Sequence, residues 1–500
     1  MSGVRIRRLV LPALAALVVV ASVCDAADEI ALGKPGDDLP REEWHAVFVG
    51  AKRTGYAHIH MRREDDDVVS RNETTMTLRR FGTDVTVKVE ETFRERVDGT
   101  PLSFSMVQDT GGTALRTEGT IKGDTLHLVT TQGTRRREKT FDWEGGGLFP
   151  YAFDRKTRSL DLKPGTELTV AMFSPQVSVT EPVQVALKVI GPETVDVLGV
   201  GHEAVKIEMR MSKLRGVAER LWLDSGGDLL VSEVSLMGMR TVRCTKEYAL
   251  GEVEPAEIGG AMLIKPDKRL WFPGRLTRLV VRLSTEDGSP FAVELATAGH
   301  QRVVERTEES VTLEISLEST ATEEKDLAPY RARSAFVDCE DERIVAAARA
   351  AVGDETDPWR KAQALRRAVY ELVDAKSFDV AMATASEVIQ NKAGDCTEHA
   401  VLLAAMARAE GLPSRVAVGL MYLGGRFGYH MWTQVYVDGA WRDVDAVLPG
   451  RDFDAAHIRL TTAALGDDDF LFDLAAFVTV FGNLKIEILE KEYGKRKRPE

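Results

Sequence analysis

The hydrophobic pattern of this chain changes its period near residue 357, and this change constrains the fold more than any other feature. From Trp44 to about Gly251, apolar and polar residues alternate in short runs, as in Val85-Thr86-Val87-Lys88-Val89. Turn signals such as Asp98-Gly99 separate the runs, and this arrangement is typical of antiparallel strands. From Asp357 onward, apolar residues recur at the three- and four-residue spacing of helices.

The sequence therefore predicts a multidomain protein, with an N-terminal antiparallel all-β region followed by a C-terminal α+β domain. A chain of 500 residues is too long for one ordinary core, which agrees with two or three domains. The predicted segments are a linker at 27–43, an antiparallel β domain at 44–252, a small β module or an extension of the first domain at 253–327, the α+β domain at 328–490 and a basic tail at 491–500.

Residues 1–26 have the composition of a secretory signal peptide. Three arginines precede an apolar run from Leu9 to Val23, which gives a positive n-region and an apolar h-region. Cys24-Asp25-Ala26 then places small residues where cleavage after Ala26 requires them. Lipidation at Cys24 and an uncleaved anchor are the alternatives. We expect an exported protein, in the bacterial periplasm or cell envelope, or secreted.

The charge distribution gives little support to nucleic-acid binding. The formal net charge is -13, and the basic cluster Lys495-Arg496-Lys497-Arg498 stands alone at the C-terminus. A nucleic-acid-binding protein normally carries a basic patch or stripe on one face. We therefore expect no nucleic-acid partner and interpret the tail as a solvated end.

Two helices and three strands are predicted in the C-terminal domain. Trp359, Ala362, Leu365, Val369 and Leu372 mark an amphipathic helix. A second, apolar helix runs from Cys396 to about Ala409 and is closed by Gly411 and Pro413. Strand patterns follow at Arg415–Tyr422, Tyr429–Val437 and Ala440–Asp445.

Cys396 is predicted at the first position of the second helix. Asp395 is suited to be its N-cap, and Glu398 follows three residues later to complete a capping box. The backbone N–H groups and the helix dipole at this end favour a thiolate over a thiol, and they could also receive an oxyanion formed beside the sulfur.

A hairpin downstream brings together a histidine and an aspartate. Asp438-Gly439 is a strong two-residue turn signal. Pairing across this turn places Val437 opposite Ala440, and it makes Asp445 the diagonal neighbour of His430, with Asp443 one diagonal further away. A carboxylate beside an imidazole fixes its tautomer, and the imidazole can then accept a thiol proton.

These motifs closely resemble the transglutaminase-like family of the papain-like superfamily. The matching stretches are Ala393-Gly394-Asp395-Cys396-Thr397-Glu398-His399-Ala400, Arg408-Ala409-Glu410-Gly411-Leu412-Pro413-Ser414-Arg415, Tyr429-His430-Met431-Trp432 and Trp441-Arg442-Asp443-Val444-Asp445. The resemblance implies that Cys396 is the nucleophile, His430 the base and Asp445 the orienting group. We expect no cofactor and no metal ligands. Family members often have Pro and Thr after the aspartate, whereas Ala446-Val447 follow here.

Other polar residues receive structural interpretations. His399, three residues after Cys396, is interpreted as a structural residue rather than a metal ligand, and Glu398 as a cap partner rather than a catalytic acid. Asp443 is expected to be solvated or to face substrate, and His457 to be a loop histidine. His58 and His60 are expected on an exposed strand face rather than at a metal. Trp432 and Trp441 are expected as cleft or core aromatics, and Cys244 and Cys339 as two buried thiols, with a disulfide as the alternative.

Two functional hypotheses follow. The first is an exported cysteine enzyme that cleaves or transfers an amide acyl group through a thioester, with hydrolysis of peptide or protein amides favoured over cross-linking. The second is a catalytically idle binding or assembly protein of the cell envelope, which uses the β region to engage a partner and the C-terminal domain as a scaffold. The sequence leaves the substrate, the oligomeric state and the role of residues 44–319 open.

Overall fold

The fold consists of two compact units, the first ending at Glu257 and the second beginning at Ile258. The structure is a computed structural model that describes residues 39–80, 82–111, 114–133, 135–143, 146–157, 162–212, 217–234, 238–260, 262–334, 336–375, 383–448, 453–466 and 480–494. The predicted signal peptide, nearly all of the predicted linker and the cluster Lys495-Arg496-Lys497-Arg498 lie outside these residues.

The first unit is built on one large sheet. Its strands are β1 (Arg41–Val49), β2 (Lys52–Glu64), β3 (Asp67–Arg80), β4 (Thr83–Arg96), β5 (Pro101–Asp109), β6 (Leu115–Lys122), β7 (Thr125–Gln132), β8 (Arg135–Asp142), β9 (Glu167–Met172), β10 (Val183–Val197), β11 (Val200–Met211), β12 (Ala218–Leu223), β13 (Leu229–Val234), β14 (Met239–Cys244) and β15 (Ala256–Glu257). Two helices, α1 (Pro150–Thr157) and α2 (Lys246–Ala249), accompany them. The strand order is β8-β7-β6-β5-β4-β3-β2-β1-β14-β13-β12-β11-β10-β9, and β15 pairs with β3.

The period-2 pattern explains this sheet, because alternate side chains of a strand point to opposite faces. In β4, Val85, Val87 and Val89 are buried, whereas Thr86 is exposed. On β2, Ala57 and Ile59 are buried in the same way. The predicted antiparallel β region is thereby confirmed.

His58 and His60 lie on the other face of β2. The ring of His58 stacks on Trp44 at a centroid distance of 3.8 Å, and its Nε2 lies 3.0 Å from Glu42 Oε1. These contacts give His58 a structural role on the sheet surface. Cys244, at the end of β14, is half-buried and forms no disulfide.

The second unit combines helices with two smaller sheets. Its elements are β16 (Leu263–Ile264), the 3-10 helix η1 (Pro273–Arg275), β17 (Leu276–Thr285), β18 (Gly299–Arg306), β19 (Ser310–Thr320), α3 (Glu342–Val352), α4 (Pro358–Leu372), α5 (Ala385–Asn391), α6 (Cys396–Ala409), β20 (Ser414–Leu423), β21 (Arg426–Val437), β22 (Ala440–Val444), β23 (His457–Ala463) and β24 (Leu484–Tyr493). One sheet has the order β16-β21-β20-β23 with β22 paired to β21, and the other has the order β18-β19-β17-β24.

Helix α6 is the centre of this unit. Every residue from Cys396 to Arg408 is buried, as expected for a helix that is apolar on all sides. The helix packs against β20 and β21 and against helices α3, α4 and α5. The predicted α+β arrangement of helices followed by an antiparallel sheet is confirmed.

The segment from β16 to β19, left open by the sequence as a module or an extension of the first domain, contributes its strands to this second unit. Gln301 of β18 joins the two sheets: its Nε2 donates to Arg459 O at 2.9 Å, and its Oε1 accepts from Arg459 N at 2.9 Å. Cys339 is buried and forms no disulfide. Within the described ranges, no helix has the length and apolar character that a membrane crossing requires.

Candidate active site

Cys396 is the first residue of α6, as the sequence predicted. Asp395 is the N-cap, and its side chain accepts a hydrogen bond from Thr397 N at 2.9 Å. Glu398 completes the capping box by accepting from Asp395 N at 2.8 Å. The predicted capping box is confirmed, and it fixes the backbone on both sides of the thiol.

Gly394 allows this cap to close. Its φ is +155°, and a Cβ at this position would lie 2.3 Å from Glu398 Cβ. Any larger residue would therefore push Glu398 away from Asp395. Burial, followed by the nearby Asp395 carboxylate, raises the pKa of Glu398 well above its ordinary value. Glu398 is thus a cap partner, in agreement with the prediction.

The hairpin formed by β21 and β22 has the predicted register. Val437 pairs with Ala440, Tyr436 with Trp441 and Gln434 with Asp443. Asp438, with φ of 54°, and Gly439, with φ of 75°, form the turn, as expected for this dipeptide. The register carries Asp445, which directly follows β22, to the side chain of His430.

His430 and Asp445 form a buried pair. His430 Nε2 lies 2.9 Å from Asp445 Oδ2, and the two residues are 1% and 4% exposed. Because an ionised carboxylate can only accept hydrogen bonds, Nε2 must carry the proton. The second oxygen, Oδ1, accepts from Val447 N at 2.8 Å, which fixes the carboxylate plane.

The other ring nitrogen of His430, Nδ1, is buried and has no hydrogen-bond partner within the described residues. In the neutral ring with its proton on Nε2, this nitrogen is a proton acceptor. A buried acceptor without a partner is costly, and such groups often mark a site where chemistry takes place.

The helix that begins at Cys396 packs on the strand that carries His430. Thr433 Oγ1 donates to Ala400 O at 2.9 Å. Ala400 lies one helical turn after Cys396, and Thr433 lies three residues after His430. Cys396 itself is 0% exposed. The structure thus brings His430 and Asp445 into direct contact and places the cysteine on a neighbouring element.

The expectation for His457 is wrong. This residue begins β23, is 2% exposed and contacts two carboxylates rather than lying in a loop. Its Nε2 lies 3.3 Å from Asp445 Oδ2, and its Nδ1 lies 3.1 Å from Asp454 Oδ1. The cause is the antiparallel pairing of β23 with β20, which returns the chain to the sheet after residue 453.

Electrostatics bind this cluster together. Burial alone would raise the pKa of Asp445. His430 and His457 have the opposite effect through their charges and hydrogen bonds, and they hold the pKa of Asp445 well below its ordinary value. Burial lowers the pKa of His457, but the two carboxylates overcome this and raise it to about 10. His457 is therefore an imidazolium at neutral pH, and Asp445 is a carboxylate.

The expectation for Asp443 is also wrong, since it is buried rather than solvated or facing substrate. Its Oδ1 accepts from Trp432 Nε1 at 2.6 Å and from Gln434 Nε2 at 2.7 Å, and its Oδ2 lies 2.6 Å from His300 Nδ1. Burial opposes ionisation, but the hydrogen bond and charge of His300 and other partners lower the pKa of Asp443 to about 2. Asp443 holds two sheets together through β18.

Three of these residues have donor atoms spaced as a metal site would need them. In the described part of the chain, donor atoms of His430, Asp445 and His457 lie within 4.8 Å of one another. The contacts of His430 and His457 with Asp445 have the distances of hydrogen bonds. Both nitrogens of His457 lie against carboxylate oxygens, Nδ1 at 3.1 Å from Asp454 Oδ1 and Nε2 at 3.3 Å from Asp445 Oδ2, as hydrogen-bond donors would. The donor chemistry therefore favours a hydrogen-bonded cluster.

The remaining candidates are structural. His399 Nδ1 lies 2.5 Å from Asp395 O, within the first turn of α6. Trp432 and Trp441 are buried core aromatics. Burial raises the pKa of the Cys244 and Cys339 thiols, as expected for inert cysteines.

Comparisons with known proteins give one family match and several distantly similar solved structures. Residues 345–446 match the family model of the transglutaminase-like superfamily. A proposed cysteine protease from Cytophaga hutchinsonii has 15% identity and a TM-score of 0.30, covering 45% of this chain and 93% of its own. The periplasmic domain of TgpA from Pseudomonas aeruginosa bound to ethylmercury has 16% identity and a TM-score of 0.25, with coverages of 37% and 82%. No curated protein matches the chain.

A third solved structure is a beta-barrel-like protein from Brucella abortus with a domain of unknown function. It has 10% identity and a TM-score of 0.31, and it covers 41% of this chain and 96% of its own.

The C-terminal part of this chain carries a transglutaminase-like domain. The resemblance drawn from the motifs around Cys396, His430 and Asp445 is therefore confirmed at the level of the family. The roles of these three residues remain predictions.

Sequence reasoning missed the contributions of His300, Asp454 and His457. His457-Ile458-Arg459-Leu460 alternates polar and apolar residues, and this strand signal could have placed His457 on a sheet. No comparable signal links His300 to Asp443, since 143 residues separate them.

The buried hydrogen bonds of Asp443 predict a stability effect. Asp443→Ala leaves Trp432 Nε1 and Gln434 Nε2 buried without an acceptor, so we expect a loss on the order of 3 kcal/mol in the free energy of unfolding. Urea unfolding followed by tryptophan fluorescence measures this loss. The exposed Glu371→Ala on α4 is the control, and equal stability of the two variants would contradict the structural role of Asp443.

Proposed function

We propose that this protein is an exported cysteine enzyme whose transglutaminase-like domain cleaves amides of peptides or proteins through a thioester on Cys396. The observation that carries the proposal is the buried His430–Asp445 pair, because it leaves Nδ1 of His430 as an unpartnered proton acceptor among the described residues. The match of residues 345–446 to a superfamily that is usually cysteine-dependent supports the assignment.

The proposed reaction begins when the Cys396 thiol transfers its proton to His430 Nδ1. The thiolate attacks the amide carbon, and the oxyanion that forms lies near the N–H groups at the start of α6. The protonated imidazole then gives its proton to the departing amine as the C–N bond breaks, which leaves a thioester. Water, deprotonated by His430, attacks the thioester, and the acid product leaves as the thiol reforms.

The environment supports water as the usual acceptor. Amine transfer needs a site that excludes water and holds the amine close to the thioester. The described surroundings of His430 and Asp445 are instead mixed: the rings of Trp432 and Phe453 lie there, and so do the charged or polar groups of His457, Asp454, Asp443 and Arg459. Arg451, a further flanking residue in the sequence, lies outside the described residues.

Cys396 and His430 are at most 1% exposed, and this burial limits the access of reagents to the thiol. A substrate or reagent therefore reaches the thiol only when neighbouring groups move aside. For a small reagent that is not held by the site, the pH dependence of labelling is for this reason a sharper measure than its absolute rate.

The triad predicts a site-specific pH profile of alkylation. Iodoacetamide labelling, resolved by peptide mass spectrometry, should show Cys396 reacting with a midpoint below about pH 8. Cys244 and Cys339 are internal references, because burial raises the pKa of both thiols. Cys396→Ala removes the reactive site.

Asp445→Asn should shift this profile towards that of an ordinary thiol and reduce amide cleavage on the order of 100-fold or more. Because Val447 N holds Oδ1, the new amide NH₂ would face His430 and force the wrong tautomer. Asp438→Asn, in the exposed turn of the same hairpin, is the matched control. A Cys396 profile identical to that of Cys339, or unchanged in Asp445→Asn, would argue against the triad.

The fate of the thioester gives a second prediction. We expect casein incubated with the enzyme and millimolar primary amine to yield hydrolysed ends or deamidated Gln, detected by mass spectrometry. Cys396→Ala should yield neither product. Amine adducts as the dominant product would instead identify a cross-linking transglutaminase.

Export is a separate proposal that rests on the composition of residues 1–26. N-terminal sequencing of the protein purified from its native cell should begin at or near Ala27. An intact N-terminus recovered from the cytoplasm would refute export while leaving the chemistry untouched.

A further inference from the structure

The first unit contains a cavity on the inner face of its sheet. The centre of a water-sized sphere can occupy about 60 Å³ of it, which corresponds to roughly four to six water molecules. Much of the lining is apolar, and its large side chains include Ile59, Met61, Phe93, Phe153, Met172 and Phe173. A concave apolar site with a few convergent polar groups is typical of ligand binding.

The strand register brings two polar side chains to this face. Asn72 of β3 lies directly opposite Glu91 of β4, and Ile59 of β2 lies opposite Asn72. Gln176, from the segment that follows β9, also lines the cavity. The side-chain amides of Asn72 and Gln176 act on the Glu91 carboxyl and lower its pKa, which burial raises.

Glu91 is a buried acid without a cation. It is 7% exposed, and no ion pair within the described residues includes it. Burial raises its pKa to about 7, although the two side-chain amides partly oppose this shift. Because an unpaired buried carboxylate is costly, a positive group that entered the cavity would be stabilised there.

Gln176 sets a second requirement for a ligand of this cavity, which is a hydrogen-bond donor. Gln176 is 5% exposed, and its Oε1 is buried without a hydrogen-bond partner among the described residues. A carbonyl oxygen accepts hydrogen bonds only, so the missing group must be an N–H or O–H donor. A donor that also carries a positive charge would satisfy Gln176 and Glu91 together.

We propose that this cavity binds a short primary alkylammonium ion, with its N–H groups on Glu91 and Gln176 Oε1 and its alkyl chain against Phe93 and Phe153. The ammonium has three donors for these acceptors, and the phenylalanine rings offer apolar contact to the alkyl chain. An alcohol would satisfy Gln176 but leave the Glu91 charge unpaired, and a carboxylate would be repelled. The volume limits the ligand to about five heavy atoms, on the scale of the four to six waters that the cavity accommodates.

Calorimetric titration of the full-length protein at pH 8 tests this site, since Glu91 is then mostly ionised. The probes are n-butylammonium, n-butanol and butyrate, which share one chain length and differ in charge. We expect saturable binding of n-butylammonium at least tenfold tighter than binding of n-butanol, and no binding of butyrate. Equal affinities for the amine and the alcohol, or no saturable binding of the amine, would overturn the proposal.

Two substitutions on β4 locate the site. Glu91→Gln keeps the shape of the side chain but removes its charge, so n-butylammonium affinity should fall at least tenfold. Glu90→Gln changes the neighbouring residue, whose side chain pairs with Lys88 and Arg71, and should bind as the parent does. Unchanged affinity in Glu91→Gln would show that the amine binds elsewhere on this acidic protein. The thermal midpoint of each variant verifies that it is folded.

Discussion

The second unit depends on one buried carboxylate, Asp445. Its Oδ2 contacts both His430 at 2.9 Å and His457 at 3.3 Å, while its Oδ1 accepts from Val447 N. Removing a carboxylate from water is favourable only when its charge and lone pairs are matched, and here the matching groups arrive from two strands. The charge therefore fixes the tautomer of His430 and anchors the return of the chain at β23.

The parts of this site that depend on neighbours in sequence could be predicted from it. The capping box of Asp395 and Glu398 spans three residues, and the Asp438-Gly439 turn sets the register that joins His430 to Asp445. The parts that depend on distant pairing could not. Asp443 is buried because β18 brings in His300, and His457 lies beside Asp445 because β23 pairs with β20. No local pattern encodes either contact.

The buried acids at the two proposed sites differ in their partners. In the second unit, Asp443 and Asp445 meet histidines, and their pKa values fall below the ordinary range. In the first unit, burial raises the pKa of Glu91 to about 7 and that of Glu219 to about 8, with only neutral polar side chains against it. A carboxylate paired with histidines fixes the positions of those side chains, whereas an unpaired buried carboxylate would be stabilised by binding a cation. This contrast separates the candidate active site from the proposed ligand cavity.

The central claim is that Cys396 is a nucleophile activated by His430 and Asp445. The most direct measurement is covalent labelling with a peptide that carries a thiol-reactive group in place of an amide, followed by mass mapping of the adduct. We expect a single adduct on Cys396 that forms much faster than labelling of Cys244 or Cys339 and is lost in His430→Ala. Equal labelling of the three cysteines, or undiminished labelling of Cys396 in His430→Ala, would contradict it.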